Sequence, residues 1–210
     1  MIPDELHRPP AEAAASPRLF QNRWLDRLSR VHPSAPFLIY IPAVAALLWQ
    51  EKLPLNSVML SFVSGYLLWT LVEYLGHRLL FHLRPASAIG QRIQFLIHGV
   101  HHKHPCDPLR LVMPPIMSAP IMIAAFAALR FTLGEAIALP ALGGFITGYL
   151  IYDALHLYLH HAHPQTLIGR YLRRRHMHHH FRDDSTWFGV SAPWWDALFA
   201  TRPSQMPGPG

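Results

Sequence analysis

LPLNSVMLSFVSGYLLWTLVEYLGHRLLFH, residues 53–82, carries an apolar run straight into a pair of histidines. Its first part, Leu53 to Val72, is 20 residues without a charge. A bilayer core of about 30 Å needs roughly 20 apolar residues in a helix, so this stretch is long enough to span. His77 and His82 follow within the next turns. The same order returns later: Phe131 to Tyr152 is 22 residues interrupted only by Glu135, and His156 and His160 come directly after it. Two more stretches free of Asp, Glu, Lys and Arg precede these, Val31 to Gln50 and Leu111 to Leu129. The separators Glu51-Lys52 and Arg130 leave room only for tight turns. The pattern predicts four transmembrane helices arranged as two hairpins.

Composition agrees with a lipid environment. The 210 residues are 51% hydrophobic and 14% charged, against about 25% charged in an average soluble domain. A single cysteine, Cys106, excludes a disulfide framework and any cysteine-based metal site. Of 18 Lys and Arg, all but Lys52 and Arg130 fall in segments that an even number of spans puts on one face. That face is expected to be cytosolic, with both termini on it. The net charge of +6 therefore reads as a topology signal. Nucleic acid is not an expected partner, because no exposed basic surface interleaved with aromatics is present. Residues 1–30 form an N-terminal cytosolic segment in which Leu19 to Leu28 is expected to be a short interfacial helix. Residues 31–202 form the membrane-embedded domain, and 203–210 a disordered tail.

Histidine is the anomaly: 16 of them, against 12 acidic residues. Six lie in residues 77–104 and eight in residues 156–180, each segment following a span. They form a pair (His77, His82), a triplet (His98, His101, His102), a second pair (His156, His160) and a second triplet (His176, His179, His180). The i, i+3, i+4 spacing of each triplet is expected to aim three imidazoles at one point. Ten such ligands are too many for one ion and suit two. His104, His161, His163 and His178 fall outside the pattern. Imidazole alone does not choose among Zn, Cu, Fe and Ni. A redox metal at the mouth of an apolar bundle suits oxidation of an unactivated C–H bond, which side chains cannot perform. Glu73, Asp153, Asp183 and Asp184 are candidate partners for the outer ring nitrogens, or else form surface ion pairs.

EYLGHRLLFH, HGVHHKHP, YDALHLYLHHA, RRRHMHHHF and the closing WFGVSAPWWDALFAT together resemble the fatty acid hydroxylase/sterol desaturase superfamily of membrane di-iron enzymes. More narrowly, they are similar to fatty acid 2-hydroxylases acting on sphingolipid acyl chains. The resemblance runs from about Leu55 to Thr201. It implies an all-α integral membrane fold, a four-helix base under a cytosolic helical cap that carries the histidine boxes. It also implies metal ligation by His77, His82, His98, His101, His102, His156, His160, His176, His179 and His180. The implied cofactors are two iron ions, which zinc can displace, with O2 as co-substrate. Many eukaryotic relatives carry a fused N-terminal haem domain, for which the residues before the first span are too few. A separate haem, ferredoxin or flavin carrier is therefore the expected electron donor.

The expected reaction is hydroxylation of a membrane lipid at C2 of a fatty acid or sphingolipid N-acyl chain. Position beside the metals, rather than bond strength, selects the carbon. Sterol, carotenoid or alkane hydroxylation or desaturation is the alternative within the same chemistry. A membrane metal-binding or transport protein is the distant one, and it lacks the ionisable residues inside the spans that a pathway needs. Tyr152 is read as a packing residue, and Trp187, Trp194 and Trp195 as anchors in the headgroup layer. The expected residence is the inner membrane in a bacterium, or the endoplasmic reticulum in a eukaryote.

Overall fold

The computed structural model describes residues 16–49 and 52–203, and within them the chain is helical, with no strand. The expected disordered tail lies almost wholly outside the described residues, as do residues 1–15. The helices are α1 (Arg23–Leu28), α2 (Ala35–Trp49), α3 (Leu55–Leu75), α4 (Ala88–Gln94), α5 (Val100–Lys103), α6 (Pro115–Leu133), α7 (Glu135–His161), α8 (Leu167–Phe181) and α9 (Trp194–Leu198).

Three helical stretches are long and apolar enough to cross a membrane: Leu55–Phe81, Pro108–Leu133 and Glu135–His161. The first apolar stretch of the sequence gives α2, whose 15 residues extend about 22 Å at 1.5 Å per residue. α6 starts at Pro115 behind Pro114 as its N-cap, since proline suits the first turn of a helix, where its missing N–H would have had no intrahelical partner. The turn expected at Arg130 is displaced. Arg130 sits in the last turn of α6, and the reversal is made by Gly134 alone, at φ 77°, a left-handed conformation that glycine adopts without steric cost. Arg130 and Glu135 pair across it at 2.9 Å.

α7 is the central post. Its inner half is buried nearly all round, against α2, α3 and α6. Contact with α3 is closest because glycines remove the intervening side chains. A Cβ on Gly65 would lie 1.8 Å from the Ala141 carbonyl oxygen, and one on Gly144 would lie 1.8 Å from that of Phe62. Small residues at such seams let helix backbones touch, and dispersion then holds them. Trp69 of α3 closes the seam edge-on against Phe145 and Tyr149, at ring separations of 5.1 and 5.3 Å. The outer faces of α3 and α6 remain apolar and bare, with Leu60 70% and Phe131 92% exposed. Contiguous apolar surface of this extent is what lipid covers.

The N-terminal helix is shorter than expected. Asn22 caps it by accepting from the Trp24 and Leu25 N–H groups. The preceding residues are drawn off a helical path by Asp26, which accepts from the Leu19 N–H at 2.7 Å and the Phe20 N–H at 3.4 Å. Arg110 ties this segment to the start of α6 by donating to the Pro17 carbonyl at 2.7 Å and to Ser29 Oγ at 2.9 Å.

Candidate metal centre

The ten predicted ligands come together at the ends of α3 and α7, where they meet α5 and α8. They form two groups of five: His77, His82, His98, His102 and His179, and His101, His156, His160, His176 and His180. Within each group the ligating nitrogens all lie within 4.8 Å of one another. His104, His161, His163 and His178 belong to neither.

Helix geometry explains this sorting and corrects the expectation that each triplet aims at one point. At 100° per residue, position i+4 returns to within about 40° of position i, whereas i+3 falls about 60° short on the other side. His98 and His102 accordingly join the first cluster while His101 turns to the second. In α8 the partition is reversed: His176 and His180 join the second cluster and His179 the first. His77 and His82, five apart, share a cluster because Gly76–Phe81 is wound as a π-helical turn, with the His82 N–H donating to the His77 carbonyl at 3.2 Å. A second π turn, Phe95–Gly99, carries His98. Such turns gather at functional sites because they re-aim a side chain at the cost of regular packing.

Every cluster member presents Nε2 inward. In the first, His77 and His98 are 3.2 Å apart at Nε2, His98 and His102 3.0 Å, and His82 and His179 3.0 Å. In the second, His156 and His160 are separated by 3.2 Å, His160 and His176 by 2.7 Å, and His101 and His180 by 3.2 Å. Two nitrogens each about 2.1 Å from one ion and at right angles to it stand about 3.0 Å apart. The donor sets therefore fit one ion of high coordination number in each cluster. Burial holds the imidazoles neutral, the form that ligates. It pushes His98, His101, His176 and His180 well below the usual histidine range, with neighbouring imidazoles adding to the effect. His82 is lowered to about 4 by burial and then by His179. The clusters touch where the rings of His102 and His180 stack at 4.2 Å.

The outer nitrogens differ between the clusters. His77 Nδ1 donates to the Phe188 carbonyl at 2.6 Å and His179 Nδ1 to the Thr186 carbonyl at 2.7 Å. A carbonyl can only accept, so both rings carry their proton on Nδ1 and offer a bare Nε2. In the second cluster, Nδ1 of His101, His156, His176 and His180 is buried without a hydrogen-bond partner.

None of the four acids expected behind the histidines bonds one closely. Asp184 stands 3.8 Å from His82 Nδ1 and pairs with Arg84. Asp183 caps the turn at Ser185. Glu73 accepts from the Ser191 N–H and hydroxyl, and Asp153 is fully buried in α7 and bonds no histidine. The acid that matters was overlooked. Asp196 of α9 is fully buried, paired with Arg175 at 2.6 Å, and gathers the loop that bonds His77 and His179. A lone charge, Asp196, in the otherwise uncharged stretch from Trp187 to Thr201 was the available signal. Trp187 is no headgroup anchor. It is 3% exposed under the Arg175 guanidinium, at 4.2 Å from the ring. Trp195 Nε1 donates to Thr70, while Trp194 is half exposed.

A cavity of about 260 Å³ leads to the clusters. Leu19, Phe20, Leu25, Met113 and Met117 line it, and so do His98, His101 and His156. Tyr152, expected only to pack, lines it as well. Members of both clusters thus border a largely apolar cavity.

Comparison with known proteins agrees with this geometry. The fatty acid hydroxylase family model matches residues 62–201. Dihydroceramide fatty acyl 2-hydroxylase FAH2 of Arabidopsis thaliana is 36% identical, over 92% of this chain and 83% of that protein. Fatty acid 2-hydroxylase of Rattus norvegicus is also 36% identical, over 93% of this chain and 58% of its own length. A solved structure of full-length scs7p, in which only the hydroxylase domain is visible, superimposes with a TM-score of 0.82 at 29% identity, covering 88% of this chain and 72% of that one. With ten histidines in two clusters bordering an apolar cavity, and with these relatives, the chain belongs to the fatty acid hydroxylase family.

Proposed function

We propose that this hydroxylase inserts oxygen at C2 of a fatty acyl chain, with a ceramide-type N-acyl lipid as substrate, using iron held by the two histidine clusters. The observation that carries the reading is the apolar cavity bordered by members of both clusters. The relatives named for dihydroceramide or fatty acid 2-hydroxylation supply the lipid class and the carbon. Bound iron would supply the activation of O2 and the attack on an unactivated C–H bond. One oxygen atom ends in the C–OH group and the other in water, with the two electrons coming through an external haem, ferredoxin or flavin carrier and the two protons from solvent.

The chain's own residues do the rest. His77, His82, His98, His102 and His179 would hold one ion, and His101, His156, His160, His176 and His180 the other. Leu19, Phe20, Met113 and Met117 receive the acyl chain and keep water from it, which limits side reactions of the oxidant. Tyr152 lines the cavity beside His156, with ring centroids 5.5 Å apart, and borders the reacting end of the chain. On this reading residues 31–202 are the membrane-embedded domain. α2, α3, α6 and α7 are its spans, paired as two hairpins, and the histidine-bearing segments form a cap on the cytosolic face with both termini. The one-residue connection at Gly134 and the one-sided placement of Arg support that layout.

The test is expression in cells that lack 2-hydroxylated sphingolipids, followed by lipid mass spectrometry and metal analysis of the purified protein. Ceramides that gain one oxygen at C2, together with about one iron per cluster, are the expected result. Oxygen at another carbon, or in a sterol, would overturn the substrate assignment. A folded protein that takes up no stoichiometric metal would overturn the metal centre.

A further inference from the structure

The two clusters receive unequal support from the surrounding chain, and the inequality traces to Asp196. Its Oδ1 accepts from the Phe188 N–H at 2.8 Å and the Thr201 hydroxyl at 2.8 Å. Its Oδ2 accepts from the Gly189 N–H at 3.0 Å and from Arg175 at 2.6 Å. The Thr201 N–H in turn donates to the Asp196 carbonyl at 2.9 Å, and the Trp187 N–H to the Thr201 carbonyl at 3.1 Å.

Peptide planarity turns these bonds into aim. The Phe188 carbonyl and the Gly189 N–H belong to one rigid trans unit and point opposite ways. With the N–H fixed on Asp196, the carbonyl is directed at His77 Nδ1. The Thr186 carbonyl and the Trp187 N–H form the second unit. With that N–H fixed on Thr201, which Asp196 holds, the carbonyl is directed at His179 Nδ1. Between the two units Trp187 takes φ 61°. That is a left-handed conformation which is strained for a bulky residue and persists only where its surroundings enforce it. The Arg175 guanidinium over the Trp187 ring and its bond to the Gly189 carbonyl at 3.3 Å are that enforcement. A side chain at residue 189 is excluded, since a Cβ there would meet the Ala192 carbonyl oxygen at 2.4 Å.

We propose that Asp196 is the positioning residue of the first cluster: through the Thr186–Gly189 loop it fixes the tautomer and orientation of His77 and His179, so that the first metal position holds its ion more tightly than the second. The proposal rests on the metal-centre reading above. Outer-sphere partners of this kind are worth roughly 10–100-fold in metal affinity. The second cluster has no counterpart, because four of its five outer nitrogens are buried unpaired.

Full-length protein in detergent, loaded with Co(II) and challenged with excess chelator, reads the two positions separately through its absorption bands. Wild type is expected to release cobalt in a fast and a slow phase, the fast phase being the one removed by His160→Ala. In Asp196→Asn, where the amide cannot accept at both oxygens, the slow phase is expected to accelerate about 10–100-fold, with the fast phase unchanged. Thr201→Val leaves the Arg175–Asp196 pair intact and is expected to shift the slow phase alone, by a smaller factor. It serves where Asp196→Asn fails to fold. Equal acceleration of both phases, or none, in the folded variants would overturn the proposal and leave the metal centre standing. A wild-type protein that binds no cobalt would overturn both.

Discussion

The two histidine clusters use the same donors in the same number and are built by different means. The second is made within helices: His156 and His160 one turn apart on α7, His176 and His180 one turn apart on α8, and His101 from α5. The first takes His77 from a π turn and His82 from its cap, and leans on the Thr186–Gly189 loop for the bonds behind two of its rings. Helical spacing alone can therefore gather five imidazoles, but it leaves their backs unsatisfied. A loop with fixed peptide planes satisfies them. The comparison separates gathering ligands from orienting them.

The largest effect expected is on activity. His77→Ala and His160→Ala each remove one ligand from one cluster, and hydroxylation should fall to background in both, because both clusters border the cavity. Metal analysis should show about half the wild-type content in each variant. If either variant loses both metals, the clusters are not separable and the comparison breaks.

Next in size is the seam that sets the clusters against each other. α3 runs into the π turn that carries His77, and α7 carries His156 and His160, so a side chain forced between the helices displaces one cluster relative to the other. Gly144→Val should cost more than the roughly 1–3 kcal/mol of ordinary overpacking, since even its Cβ would overlap the Phe62 carbonyl. Thermal unfolding should show it, together with reduced metal in both clusters. Gly76→Ala, in the π turn with open space around it, should change stability by no more than about 0.5 kcal/mol.

Acid sharpens the comparison further. His82 is lowered to about 4 from an ordinary 6.5 by burial and then by His179, with Arg84 opposing Asp184. Below pH 6.5 the unfolded chain takes a proton that the folded imidazole refuses. Stability of the metal-free protein is therefore full above about 6.5 and declines as pH falls towards 4. His82→Gln should make the melting-temperature profile shallower in that window by one proton's share, the other buried imidazoles keeping the rest of the slope.

The smallest change expected is at the cavity wall. Asp26→Asn weakens the bonds to the Leu19 and Phe20 N–H groups. A hydrogen bond contributes about 0.5–1.5 kcal/mol, so KM for the acyl substrate should rise by up to about tenfold with metal content unchanged.

Much of this was legible in the sequence, because lipid and helix impose simple rules. Uncharged runs of membrane length gave the long helices, and four-residue spacing gave the pairs that share a cluster. The division of each triplet was not legible, since i+3 and i+4 look equivalent until two separate targets exist. The brevity of α1 escaped because Asp26 acts on backbone six and seven residues earlier. Asp196 escaped for a related reason: its partners Arg175, Phe188, Gly189 and Thr201 are spread over 27 positions, and no periodicity marks a residue that works through peptide planes.

The position of that loop along the chain has a consequence for the order of assembly. Every imidazole of both clusters precedes Phe181, so a ribosome that has released α8 has already delivered all ten. The carbonyls that orient His77 and His179, and the carboxylate that orients those carbonyls, emerge afterwards. The imidazoles of the helix-built cluster are thus all synthesised before the residues that back the other cluster. Truncation after α8 keeps every ligand and loses the half of the centre that synthesis completes last.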